Sequence, residues 1–184
     1  MFREKITDYI FHTTFDSSIT DITDKIFTAD VNWENHEWAN YSTEVVDSDS
    51  IKISYQYQLG IGNELYIALG KYIEKYCNYI DIDLREEIPN MSEIRFNKYN
   101  SGSTMASHID HIRSLFDGKQ KGIPILSIVG LLNDDFIGGE FSMCGNEIEL
   151  KKNSLLIWPA NFMYPHEVAP IKEGTRYSFV TWLW

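Results

Sequence analysis

At 184 residues, 43% of them hydrophobic and 23% charged, the chain suits one folded domain with a sizeable core rather than a disordered segment. Against 27 Asp and Glu stand 16 Lys and Arg, a net charge of −11. That balance argues against a phosphate-binding surface, so nucleic acid is not an expected partner, and it leans weakly toward a basic protein. Met1-Phe2-Arg3-Glu4-Lys5 runs into polar sequence with no apolar h-region, and no apolar run approaches the roughly 18 residues a membrane span needs. The expectation is a soluble, cytoplasmic protein with no membrane partner; nothing fixes its oligomeric state. Cys77 and Cys144 fall in no CxxC or other ligand spacing. Two buried free thiols in a reducing compartment is the simpler expectation, with one disulfide left open.

In chain order, Thr14 to Thr28 predicts a short amphipathic helix, with Ile19, Ile22 and Ile26 on one stripe. Trp33, Trp38 and Tyr41 follow in a polar, irregular stretch. Ile51 to Leu59 alternates as a strand, Gly60-Ile61-Gly62-Asn63 breaks it, and Asn63 is a good N-cap. Leu65, Leu69, Tyr72, Tyr76 and Tyr79 then predict a helix to about Ile80. Beyond Pro89 the text changes to short strands: Glu93–Tyr99, Met105–Ile112, Ile123–Leu132, Gly139–Met143, Glu147–Leu150, Ser154–Trp158, His166–Ala169 and Thr175–Leu183. Glycine- and asparagine-rich turns separate them, among them Gly138-Gly139, which reads as a turn or bulge requiring positive φ. The fold class is mainly β with flanking helices: a double-sheet jelly roll, cupin-like, buttressed by the first-half helices. We expect a single domain over 1–184, with 1–90 as a helical and strand support and 91–184 as the jelly-roll core.

Within that second half, His108-Ile109-Asp110 places an imidazole and a carboxylate two apart, hence on one face of a strand, with His111 on the other. Such a tripeptide is weak by itself. Joined by His166 at the start of a late strand, it makes the two-imidazole, one-carboxylate set that binds one face of a non-haem Fe(II) and leaves three positions open. Arg176, Ser178, Val180 and Trp182 share one face of the last strand. An arginine on an apolar, inward-looking face is costly unless it meets an anion. Its fork suits a carboxylate, with the Ser178 hydroxyl adding a third hydrogen bond; an ion pair to one of the many acidic residues is the competing account.

From about Glu93 to Trp184 these residues, with Arg95-Phe96-Asn97-Lys98-Tyr99, Gly102, Leu131-Leu132-Asn133-Asp134-Asp135, Gly138-Gly139-Glu140-Phe141, Trp158-Pro159 and Pro165-His166-Glu167-Val168, carry a resemblance. The segment resembles the Fe(II)/2-oxoglutarate-dependent dioxygenases, in particular the prolyl 4-hydroxylase-like group. The first 90 residues carry no such match. The resemblance implies His108, Asp110 and His166 as iron ligands and catalytic centre. It places Arg176 on the distal (C5) carboxylate of 2-oxoglutarate, with Ser178 beside it and Tyr99 on the same cosubstrate. It puts Trp182 near the substrate, though core packing accounts equally well for Trp182, and Tyr99 could be a half-buried strand aromatic. Cofactors implied are Fe(II), 2-oxoglutarate and O2, with ascorbate as a candidate stimulant. A carboxylate at 110, where a halogenase has none, favours hydroxylation. The expected partner is a protein or peptide substrate with a target proline. Met105 and Pro124 depart from the prolyl hydroxylase pattern, which expects tyrosine and a substrate-side arginine, so a free amino acid or another side chain stays open. Trp33, Trp38 and Tyr41 are candidates for a substrate lid. The rival of another class is a non-catalytic cupin-like binding module, which would not need Arg176 and Ser178.

Overall fold

Asp16 sets where the first helix begins. Its carboxylate Oδ1 accepts from the Ser18 amide at 3.1 Å and its carbonyl accepts from the Ile19 amide at 3.1 Å, an N-cap arrangement. In the computed structural model, which describes residues 5–28, 32–34, 55–59, 64–84, 86, 88, 90–110 and 122–184, α1 therefore spans Ser17–Thr28. The expected start at Thr14 is corrected: Phe11–Thr14 is a strand, β1. The helix α2 spans Glu64–Ile80 and buries Leu65, Leu69, Tyr72, Tyr76, Cys77 and Ile80. Tyr79 departs from the expected stripe. It is 38% exposed, its ring 5.2 Å from that of Phe11. Both cysteines are free; Cys77 is buried, whereas Cys144 is only partly so.

The remaining strands are β2 (Tyr55–Leu59), β3 (Ile94–Tyr99), β4 (Met105–His108), β5 (Leu126–Leu131), β6 (Ile137–Gly138), β7 (Phe141–Met143), β8 (Asn146–Ile148), β9 (Ser154–Pro159), β10 (His166–Val168), β11 (Ile171–Glu173) and β12 (Arg176–Leu183). A large antiparallel sheet runs β1-β9-β5-β12-β3-β2, and a small one runs β4-β10-β7-β8; β11 pairs β6. This is the double-sheet jelly roll that the spacing of turns predicted, with two strands from the first half added to the edges of the large sheet. Asn63, Pro89, Trp38, Tyr41 and residues 51–54 lie outside the described residues. No helix among the described residues is long and apolar enough to cross a membrane.

Period-two alternation splits the large sheet into two unlike faces. One face, with Ile94, Phe96, Ile128, Leu155, Ile157 and Phe179, packs on Phe15 and Ile19 before and within α1 and on Leu65, Leu69, Tyr72 and Tyr76 of α2. Each such fully buried large side chain contributes roughly 1.5–3 kcal/mol. The opposite face looks toward the small sheet, where Tyr99, Leu156 and Trp158 join Met105, Phe141, Met143 and Val168 in a second core. Gly138 and Gly139 take φ of +83° and +68°. A Cβ on Gly139 would lie 2.4 Å from Ile171 Cδ1, so the chain needs glycine there for two reasons.

Candidate active site

The pairing of β4 with β10 sets His166 directly opposite His108. Their rings lie 4.3 Å apart, centroid to centroid. Asp110 follows the end of β4, in a bend, and turns its carboxylate over both: Oδ1 is 3.6 Å from His108 Nε2 and Oδ2 is 3.6 Å from His166 Nε2. The expectation that strand alternation brings His108 and Asp110 to one face needs correcting, because the strand stops at His108 and the bend completes the convergence. Position 111 lies outside the described residues.

The tautomers follow from the neighbours. The Nδ1 of His108 contacts the Ala106 carbonyl at 2.9 Å, and that of His166 contacts the Tyr164 carbonyl at 3.1 Å. A carbonyl only accepts, so each Nδ1 carries the proton and each Nε2 offers a lone pair. One donor atom from each of His108, Asp110 and His166 thus falls within 4.8 Å of the others. Three lone-pair donors brought together are mutually unsatisfied unless a cation sits among them. The donor set of two imidazole nitrogens and one carboxylate oxygen suits Fe(II). Burial holds His166 below the ordinary histidine value, which keeps its ring neutral near pH 7. Burial alone would raise Asp110. The Ser127 hydroxyl, with His108 and His166 when these carry a second proton, outweighs it and holds the carboxyl well below the usual range. Ser127, on β5 and fully buried, donates to Asp110 Oδ2 at 2.6 Å.

Across from this cluster the inner face of the large sheet supplies the rest. Register pairs Arg176 with Tyr99, Ser178 with Asn97 and Val180 with Arg95. All six line one cavity with His108, Asp110, His166 and Trp182. Arg176 is 2% exposed; its Nη1 donates to Ser178 Oγ at 3.1 Å and its guanidinium lies 5.3 Å from the Tyr99 ring centre. Its Nε has no acceptor. No carboxylate pairs with it among the described residues, which speaks against the competing account of Arg176 as half of a structural ion pair. A buried cation that meets no anion among the described residues is suited to receive one from solution. The Tyr99 hydroxyl makes no hydrogen bond to the described residues either.

Trp182 lines the cavity, and its Nε1–H is buried without an acceptor. Met105 is a wall residue, 4% exposed. Pro124 is buried ahead of β5 and is not among the lining residues. Glu167 points to solvent, as a strand neighbour of His166 should. Trp33 does not serve as a lid: its ring packs 6.1 Å from Tyr177 on the helix-facing side of β12. Sequence reasoning missed Ser127 and gave Arg95 no role. Counting back by twos from Tyr99 would have found Arg95; a serine in an apolar strand gives no comparable signal.

Residues 94–184 match the model of the 2OG-Fe(II) oxygenase superfamily. None of the curated proteins matches the chain. Among solved structures the chain is similar to a Trichoplax adhaerens prolyl hydroxylase, solved with a hypoxia-inducible factor oxygen degradation domain peptide. Identity there is 18%, the TM-score is 0.67, and coverage is 97% of this chain and 84% of that one. It is similar also to a viral collagen prolyl hydroxylase from Paramecium Bursaria Chlorella virus-1 (14%, TM-score 0.63, 95% and 94% covered) and to a Pseudomonas putida prolyl-4-hydroxylase (18%, TM-score 0.64, 95% and 91%). At those identities the structures speak for the jelly-roll fold. Through residues 94–184, which carry every group described around the cavity, the chain belongs to the 2OG-Fe(II) oxygenase superfamily and is a 2-oxoglutarate- and Fe(II)-dependent dioxygenase.

Proposed function

We propose that the enzyme hydroxylates a prolyl residue of a protein or peptide, with His108, Asp110 and His166 holding Fe(II) and Arg176, Ser178 and Tyr99 holding the distal carboxylate of 2-oxoglutarate. The observation that carries the cosubstrate assignment is the buried Arg176, which meets no carboxylate among the described residues and faces the same cavity as the histidine–aspartate cluster. The prolyl assignment draws on the prolyl hydroxylases among its structural neighbours. Bound at the cluster, Fe(II) with 2-oxoglutarate and O2 supplies the oxidising power for an unactivated C–H bond, coupled to decarboxylation of the cosubstrate to succinate.

The chain's own groups do the positioning. Backbone carbonyls of Ala106 and Tyr164 fix both imidazoles in the ligand tautomer, and Ser127 fixes the rotamer of Asp110. Arg176 and Ser178 are already aligned with each other, so a carboxylate meets preorganised donors. Val129, Phe141, Val168 and Val180 give the cavity apolar walls that keep water from the reacting atoms.

The test is 2-oxoglutarate titration of the metal-loaded protein without O2, followed by a succinate read-out with proline-containing peptides and free amino acids. Arg176→Ala is expected to weaken 2-oxoglutarate binding on the order of 10- to 100-fold, as loss of charge-assisted hydrogen bonds requires. Asp110→Ala and His166→Ala abolish succinate formation. Equal cosubstrate binding by wild type and Arg176→Ala would refute the anchor. Stimulation by free L-proline but by no peptide would overturn the protein-substrate choice.

A further inference from the structure

We infer that Arg95 is a substrate anchor: the substrate carries a carboxylate, beside or on the residue that is hydroxylated, and docks it on this second guanidinium. The inference rests on the reading of Arg176 as the cosubstrate's anchor.

One cavity holds two arginines, and one diacid cosubstrate accounts for only one of them. On β3 the side chains of Arg95, Asn97 and Tyr99 face inward in turn. Arg176 stands opposite Tyr99, and Arg95 stands four residues further along, opposite Val180. Their backbone positions are therefore about 13 Å apart along the sheet, at a rise of roughly 3.3 Å per residue. Ser127, which donates to Asp110, is paired with Trp182, and the Arg95 guanidinium lies over the Trp182 ring, whereas Arg176 stands at the other end of β12. Arg95 is thus the guanidinium on the metal-ligand side of the cavity.

Its donors are mostly unspent. A guanidinium has five N–H groups. Here Nε donates to Asn97 Oδ1 at 3.1 Å, and among the described residues neither Nη finds an acceptor or a carboxylate. The guanidinium lies over the Trp182 ring, 5.1 Å from its centre, and Trp182 Nε1–H lines the same cavity without an acceptor. Asn97 and Trp182 therefore hold the plane of Arg95 while leaving the Nη pair free, the pair that grips a carboxylate with two parallel bonds. Unlike the 2%-exposed Arg176, Arg95 is partly accessible, as a group that receives a ligand arriving after the cosubstrate must be. A net charge of −11 disfavours acidic substrates at long range. Selection for the anion is local, made where water is excluded and a charge pair is least screened.

A carboxylate can come from a flanking acidic residue of a peptide or from the target amino acid itself, and two probe pairs separate these. One pair is a proline peptide with Glu next to the proline against its Gln counterpart; the other is N-acetyl-L-proline against N-acetyl-L-prolinamide. Binding is measured by calorimetry on protein loaded with Mn(II) and 2-oxoglutarate under argon, so no turnover is needed. Wild type is expected to prefer the carboxylate at least tenfold in one pair, and that pair identifies where the carboxylate sits. R95Q loses the preference, R95K keeps part of it, and both keep wild-type affinity for 2-oxoglutarate and an unchanged melting temperature within a few degrees. No preference in either pair overturns the inference, as does weakened 2-oxoglutarate binding by R95Q comparable to that of Arg176→Ala. Cosubstrate binding to wild type, measured first, tests the reading of Arg176 by itself. Its failure would overturn that reading and this inference together, whereas intact cosubstrate binding without carboxylate preference overturns only the inference.

Discussion

Replacing Ser127 by alanine is the sharpest test of how the protein holds its proposed metal ligands. The Ser127 hydroxyl is fully buried and donates at 2.6 Å to Oδ2 of Asp110, the same oxygen that lies 3.6 Å from His166 Nε2. Alanine keeps the Cβ and removes one oxygen, so little volume is vacated and the effect isolates the hydrogen bond. A bond from a hydroxyl to an ionised acceptor contributes about 1.5–3 kcal/mol, and at about 1.4 kcal/mol per factor of ten this is roughly 10- to 100-fold in metal affinity. Partners that orient a metal ligand from outside typically give losses of that size. Calorimetric titration of the metal-free protein with Fe(II) or Co(II) under argon reads the change directly. A variant whose affinity stays within twofold of wild type would refute the role given to Ser127.

Tyr99→Phe removes a hydroxyl that no described residue uses; the melting temperature is expected to hold while 2-oxoglutarate binding weakens about fivefold, the worth of about 1 kcal/mol. Gly130→Ala puts a Cβ 2.2 Å from Phe179 Cε1 in the core beneath the helices, and overpacking there destabilises by about 1–3 kcal/mol in urea unfolding. Burial pushes the Tyr164 hydroxyl up to about 12, and the hydroxyl donates to the Ile6 carbonyl at 3.0 Å. The neutral form is favoured in the folded state, so its contribution is full below the ordinary tyrosine value of about 10 and is lost as pH rises through about 12. Tyr164→Phe should then flatten the fall in unfolding free energy over that window, and an unchanged slope would remove Tyr164 as its cause.

Alternation was the legible part of the sequence. It put Arg176, Ser178 and Trp182 on one face of β12, the resemblance added Tyr99, and helical spacing found Leu65, Leu69, Tyr72 and Tyr76 of α2. What stayed hidden depends on partners distant in the chain. Phe11-His12-Thr13-Thr14 has no strong pattern of its own and becomes a strand because Ser154 to Ile157 pairs with it. Ile171–Glu173 is too short for any period to show and owes its form to Ile137 and Gly138. Tyr79 continues the helical stripe in the sequence, but it stands at the rim of the helix interface, 38% exposed, beside the Phe11 ring.

Ser127 belongs with these hidden features, and the topology explains why it carries weight. His108 and His166 stand on the small sheet, while Arg95, Tyr99, Arg176 and Ser178 stand on the large one. Hydroxylation at a chosen carbon requires the two sheets to keep a fixed separation, because the proposed metal ligands are on one and the proposed anion anchors on the other. Among the described residues β4 is an edge: its sheet neighbour is β10, through two paired positions with a register shift between them. Asp110 lies beyond even that pairing. A hydrogen bond from β5, in the middle of the large sheet, to the Asp110 carboxylate is therefore the direct polar tie from the rigid sheet to the metal-ligand arm. On this reasoning Ser127→Ala loosens not only the metal but the distance from metal to Arg176, so affinity for 2-oxoglutarate should fall with it although no cosubstrate contact has been removed.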